Sequence, residues 1–278
     1  MSAAGSSSTS IAAPPAGTVE RWAFDLIRAE DLGSKLDPAA CPRQFEDGAP
    51  VRDLRSPGRP PEFAAIDRAP KSPKTGALVR DAERAKLLHT FLHHEVQAAE
   101  LFAWAILRWP DTPRSFRRGL TALAQEELLH ARLYAEHLTH LGAAVGDHGV
   151  RDWFWERVPS CATPAEFCAL VGLGFEGGNL EHMARFADVF DGVEDPVGAR
   201  LLRRIAKDEE RHVRFARRWF VRWTGPLAFD RWRAHLPAPL TPTVLRGTPL
   251  ARGARRRAGL DEEFLDALER WNGAPSGS

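Results

Sequence analysis

Between Asp81 and Trp109 apolar residues return every three to four positions. Leu88, Phe91, Leu92, Ala98, Ala99, Phe102 and Ile106 share one helical face, and Pro110 ends the run. A second stripe carries Phe116, Leu120, Leu123, Ala131, Tyr134, Leu138 and Leu141; it starts at Thr112-Pro113 and stops at Gly142. A third helix is predicted from Thr163-Pro164 to Phe190, and a fourth from Pro196 to Trp223, closed by Gly225. The second and third are separated by about twenty residues containing GDHGVRDWFWERVP, more than the ~2–8 that usually join neighbours in a bundle. Four long helices with one long crossover predict an all-α bundle.

On either side of this block the periodicity fades. Residues 1–17 are mostly Ser, Ala, Gly and Pro, a composition expected to stay disordered. Residues 18–36 predict a short amphipathic helix bearing Trp22, Phe24 and Ile27, and the proline-rich stretch from Cys41 to Pro73 is expected to wrap the bundle as an extended arm. The division is therefore 1–17 as a disordered start, 18–77 as helix and irregular arm, 78–224 as the bundle, and 225–278 as a proline-rich extension. That extension ends in the short amphipathic helix LDEEFLDALERW.

The informative positions are the charged ones that interrupt the apolar faces. Glu127 and His130 lie in line with Leu120, Leu123, Ala131 and Tyr134, while Glu209 and His212 lie in line with Leu202, Ile205, Ala206, Val213 and Ala216. Each is a Glu-x-x-His pair, whose spacing puts both side chains on one face. Glu95 falls among Leu92, Ala98, Ala99 and Phe102, and Glu176 among Leu173, Leu180 and Met183. Glu100 is a lesser candidate, since it points about 140° away from Glu95 around the helix.

Four converging carboxylates in a core repel one another unless cations neutralise them. One Glu on each of two helices plus Glu-x-x-His on each of the other two is the pattern of ferritin-like dinuclear carboxylate proteins. The predicted fold class is therefore a ferritin-like four-helix bundle, and the predicted metal ligands are Glu95, Glu127, His130, Glu176, Glu209 and His212. Oxygen and imidazole donors suit two Fe ions, with mixed Mn/Fe or two Mn as alternatives. Glu95 precedes Glu127 by 32 positions and Glu176 precedes Glu209 by 33 (127 − 95; 209 − 176), so the two halves repeat one unit.

Supporting roles follow from position. Asp208, beside Glu209, can accept the free N–H of a ligand histidine, or be a solvated helix charge. Tyr134, one turn after His130, can bond a ligand or donate an electron, or pack as a core tyrosine. His93, His94, His137, His140 and His182 have no matching partners and read as surface or packing residues. Gly172, Gly174, Gly177 and Gly178 surround Glu176 at a cost of roughly 0.5–1 kcal/mol each relative to Ala. Either helices approach closely there, or the missing side chains leave a cavity or π-bulge beside the metals; the cavity is the preferred reading.

Composition narrows the partners. Lys and Arg number 38 against 37 Asp and Glu, giving a charge of +1, so nothing global favours nucleic acid or acidic membranes and a small-molecule substrate is expected. The RGARRR stretch, Arg252 to Arg257, is one short basic run and reads as a solvated tail. Cys41, Cys161 and Cys168 form no Cys-x-x-Cys pair and read as small buried residues in a reducing compartment. With no run of 18 apolar residues and no signal-peptide pattern at the start, the expected location is cytoplasmic.

The segments HHEVQAAEL, EELLHARLYAEHL, VGDHGVRDWFW, GFEGGNLEH and DEERHVRFARRWF resemble the ferritin-like family catalogued as domain of unknown function 455, from near Pro57 to Phe220. The resemblance implies that the same six residues match the family's metal ligands, and a kinship with tRNA-modifying di-iron hydroxylases and rubrerythrin-like proteins. Where many members carry Glu-Ala-Arg-Gly-Leu-Asp, this chain has Glu176-Gly177-Gly178-Asn179-Leu180-Glu181, a departure beside the ligands. The expected function is a di-iron oxidoreductase that uses dioxygen or peroxide to oxidise or hydroxylate an organic small molecule, with electrons from a separate donor. The alternatives are ferroxidase, iron-handling or peroxide-detoxifying activity, and an accessory or binding role with a structural metal. A homodimer is an open possibility.

Overall fold

The computed structural model describes residues 11–66 and 72–273, and all regular elements among them are helical. In chain order the α-helices are α1 (Val19–Arg28), α2 (Leu32–Leu36), α3 (Asp81–Arg108), α4 (Arg114–His140), α5 (Pro164–Phe167), α6 (Glu176–Gly192), α7 (Pro196–Thr224), α8 (Phe229–Ala234), α9 (Arg252–Arg257) and α10 (Glu262–Arg270). A π-helical segment, Cys168–Phe175, joins α5 to α6. No helix among the described residues is long and apolar enough to cross a membrane.

The long helices pair as hairpins: α3 with α4, and α6 with α7. The breaks between them are short because proline and capping residues fix both ends. Pro113 leads into α4, and Asp195 caps α7 by accepting from the Gly198 amide at 2.9 Å. The hairpins meet where α4 packs on α7 and where α3 faces the third helix through the ring pairs Phe102–Phe167 and Phe91–Phe186, at 6.1 and 5.5 Å. Their apolar interior splits into two clusters. One holds Phe102, Leu128, Leu180 and Val213, the other Leu92, Ala131, Met183 and Ile205. The change from one cluster to the other comes between Val96 and Ala98 on α3, Leu128 and Ala131 on α4, Leu180 and Met183 on α6, and Ile205 and Val213 on α7. The buried Glu95, Glu127, Glu176 and Glu209 lie at these breaks or within about one turn of them, so a buried polar layer sits where the two hydrophobic ones meet.

The predicted helix over 18–36 is two helices. Asp31 caps a new start by accepting from the Ser34 amide, which turns the chain after Arg28 and brings Lys35 inward. For the expected disorder at the start, residues 1–10 lie outside the described residues. Residues 11–17 lie on the protein: Pro14 is buried, and the carbonyls of Ala12 and Pro15 accept from Arg52 and the Thr18 hydroxyl. The arm runs over α1 and α3, with the Gly58 amide donating to Ile27 O and the Trp104 indole donating to Leu54 O. Its last part, residues 67–71, lies outside the described residues.

The reading of RGARRR as a solvated tail is corrected. These residues form α9, which packs on α6 and α7. Arg255 is buried and donates to both Glu181 oxygens at 2.7 Å, Arg257 pairs with Glu210, and Arg252 and Arg256 pair with acids of α10 and its first turn.

Candidate metal centre

All six residues singled out from the sequence are buried in the polar layer, and the fold brings them together. One ligand-type atom each from Glu95, Glu127, His130 and Glu209 lie within 4.8 Å of one another, and so do atoms from Glu127, Glu176, Glu209 and His212. Glu127 and Glu209 belong to both groups. Glu95 and His130 complete one end, Glu176 and His212 the other.

The contacts inside the layer are close. His212 Nδ1 stands 2.7 Å from Glu127 Oε1 and 3.0 Å from Glu209 Oε2, and His130 Nδ1 is 3.2 Å from Glu127 Oε2. Neither His212 contact is aligned as a hydrogen bond. Glu127 Oε1, Glu209 Oε2 and His212 Nδ1 are therefore buried without hydrogen-bond partners, an arrangement costing ~1–3 kcal/mol or more per group if nothing else binds them. Three orphaned polar atoms facing one space fit cation ligands better than a polar network.

The protonation pattern has the same cause. Burial, with Glu127 and Glu209 alongside, pushes Glu95 well above the usual carboxylate range, and burial with Glu209 and Glu127 does so for Glu176. Burial works against charge on His212 and His130, yet the neighbouring carboxylates, Glu127 first, raise both. Burial would raise Glu127 too, but the His212 and His130 rings hold it low. Protons thus take up the excess negative charge, and a cation would compete for the same atoms.

Each imidazole is anchored from behind. His130 Nε2 lies 3.3 Å from Asp208 on α7, and His212 Nε2 lies 2.7 Å from Glu126 on α4. Asp208 was visible in the sequence as a partner; Glu126 was not, although it occupies the matching place, immediately before the shared glutamate of the opposite helix. Asn179 was also missed: its amide donates to Glu209 Oε1 at 3.1 Å. Tyr134 is buried and donates to the Met183 thioether at 3.1 Å, not to any of the six residues. Glu100 is not part of the layer. It accepts from Lys35 at 2.8 Å, from Arg59 at 2.9 Å and from the Trp155 indole at 2.7 Å. Among the unassigned histidines, His93 and His137 are buried against Asp152 and Asp195.

The glycines act in both of the ways weighed from the sequence. A Cβ on Gly172 would stand 2.1 Å from Ala216 Cβ, so this glycine permits close approach of α7. Gly174 and Gly178 border a cavity of about 160 Å³ that reaches Glu95 and Glu176, and the π-helical segment forms one of its walls. Glu176 is the first residue after that segment, a place where π-turns often carry functional side chains.

The model of the family described as protein of unknown function (DUF455) matches residues 18–266. The chain belongs to this DUF455 family. The matched span holds all six clustered residues, Glu126, Asp208 and Asn179, and also α1, the arm and α9. Family membership thus extends over both flanking regions. No curated protein and no solved structure matches the chain.

Proposed function

We propose that this DUF455 protein is a ferritin-like four-helix bundle holding two iron ions, and that it uses dioxygen or peroxide to oxidise or hydroxylate a small organic molecule. The observation that carries the reading is the sharing of Glu127 and Glu209 between two buried four-residue groups. In this reading Glu95 and His130 would hold one ion and Glu176 and His212 the other, with Glu127 and Glu209, which belong to both groups, available to each. Mn/Fe or two Mn suit the same donors.

Bound iron supplies the redox change that dioxygen or peroxide chemistry requires. The chain supplies the rest. Glu126 and Asp208 accept from the Nε2–H of His212 and His130, which orients each ring so that its Nδ1 would offer a lone pair to a cation that replaces its proton. Asn179 orients Glu209 by donating to one of its oxygens. The apolar clusters on both sides exclude bulk water, which strengthens every charge interaction in the layer. Hydroxylation of a C–H bond by dioxygen consumes two electrons and two protons from outside the substrate, so a separate reductant is a required partner.

The cavity against Glu95 and Glu176 favours an organic substrate over ferroxidase, iron-handling, peroxide-detoxifying or purely structural roles, because those need no apolar chamber beside the ligands. Free Cys41, Cys161 and Cys168 support a reducing, cytoplasmic setting. The test is to load the protein with ferrous iron without air and follow its absorption on adding air or peroxide. Iron-dependent charge-transfer absorption supports the reading; zinc retention with no spectral change rules it out.

A further inference from the structure

The same cavity has a chemical character that restricts what it can take. Its walls are aromatic: Phe154 stacks on Phe175 at 4.6 Å between ring centres, Trp153 meets Phe175 at 5.3 Å, and Phe91 lines the side next to Glu95. Among the described residues, Glu95 and Glu176 are the only acids on its surface, and no Lys or Arg lines it. Among the described residues no Lys or Arg stands there to neutralise a phosphate, sulfate or carboxylate, and burial lowers the pKa of the two lining histidines, His94 and His182, so neither carries a charge to spare. The volume of about 160 Å³ is close to the ~150 Å³ of an apolar cavity that accommodates benzene.

The mouth is built by a region outside the long helices. The C-terminal extension turns at Pro242–Leu245, where the side chain of Leu245 packs against Gly174 and its carbonyl against Gly178, and Val244 lines the cavity while staying 57% exposed. Buried Arg255 and Glu181 hold this extension down; Glu181 also accepts from the Gly247 and Ala251 amides at 3.0 and 2.9 Å. The extension is therefore part of the pocket and not an appendage.

We propose that this pocket binds an uncharged small molecule about one aromatic ring in size, with Val244 of the C-terminal extension forming its outer wall. The proposal deepens the oxidoreductase reading and rests on it only for the reaction, since binding depends on the walls. Carbon next to the ring or on it would face Glu95 and Glu176, and any polar substituent would meet Asn179 or the rim histidine His182.

The test is ligand-observed nuclear magnetic resonance on the full chain as purified, with metal content measured on the same sample and indole, toluene and phenyl phosphate as probes. Indole and toluene bind, and phenyl phosphate binds at least about ten-fold more weakly. Ala98→Leu, which fills the chamber, weakens indole by about ten-fold or more. Val244→Asp, at an exposed position that leaves the fold intact, weakens it several-fold. The proposal is overturned if neither neutral probe binds, if phenyl phosphate binds as tightly, or if indole affinity is unchanged in Val244→Asp. Indole binding by protein that takes up no metal upholds the pocket and ends the di-metal reading; metal uptake without indole binding does the reverse.

Discussion

The Nε2 of His212 on α7 lies 2.7 Å from the Glu126 carboxylate on α4. Its counterpart runs the other way across the same interface, from His130 on α4 to Asp208 on α7 at 3.3 Å. Each acid directly precedes a shared glutamate, so one helix turn supplies a carboxylate to the layer and a support for the opposite helix's imidazole. Each helix thereby sets the ring orientation on the other.

Glu126→Gln keeps the size of the side chain and removes the charge that orients His212. Loss of such outer partners costs ~10–100-fold in metal affinity. The expected result is that much weaker binding of one ion with helix content unchanged, read by competitive metal titration and circular dichroism. Asp208→Asn acts on the other ion; wild-type affinity in both variants would show that these carboxylates do not orient the rings.

Glu100 ties three parts of the chain to α3: Lys35 of α2, Arg59 of the arm and Trp155 of the crossover. Burial opposes its charge, but Arg59 and Lys35 hold its carboxyl below the usual range. Removing one member strands buried charge, so Glu100→Ala lowers stability by ~3–5 kcal/mol in chemical denaturation. Metal stoichiometry at the intact layer stays the same in the folded fraction.

His89 accepts the Gly146 amide at 2.8 Å through Nε2. Burial, then His148 and His93, push it down from 6.5 to about 4 against the pull of Asp147. The unfolded chain therefore takes up a proton before the folded one does. Stability from this site is full above pH 6.5, falls between pH 6.5 and 4, and levels off below. His89→Gln, which does not titrate, flattens that part of the stability profile in urea denaturation at stepped pH; an unchanged profile would remove His89 as the cause.

At Gly172 the room for a side chain is already taken by Ala216, one turn beyond His212. Gly172→Val forces α7 away, with an expected loss of ~1–3 kcal/mol and a drop in metal occupancy. Thermal melting and metal content on one preparation check both effects.

The four long helices were readable because their apolar faces are uninterrupted except by the residues of the polar layer. The interruptions gave the six clustered positions, since charge on a buried stripe must be answered by another group. Glu126 escaped because it lies off the stripe and is half-buried; only the helix crossing shows that it reaches His212. Glu100, set aside as a lesser ligand candidate, finds its partners 65 and 41 residues earlier in segments without periodicity. The Glu181–Arg255 pair was hidden likewise: an arginine-rich run looks like a solvated charge until a fold places one of its members against a buried acid. The split of the first helix at Arg28 depends on the cap at Asp31, a local signal weaker than the apolar pattern running across it.

The most direct test of the account is metal content by mass spectrometry on protein expressed with iron supplied, beside Glu127→Ala and Glu209→Ala. The account predicts two ions per chain in the wild type, matching the two residue groups, and loss of both in either variant, because each glutamate serves both groups. Two ions retained in Glu127→Ala, or none in the wild type, would contradict it.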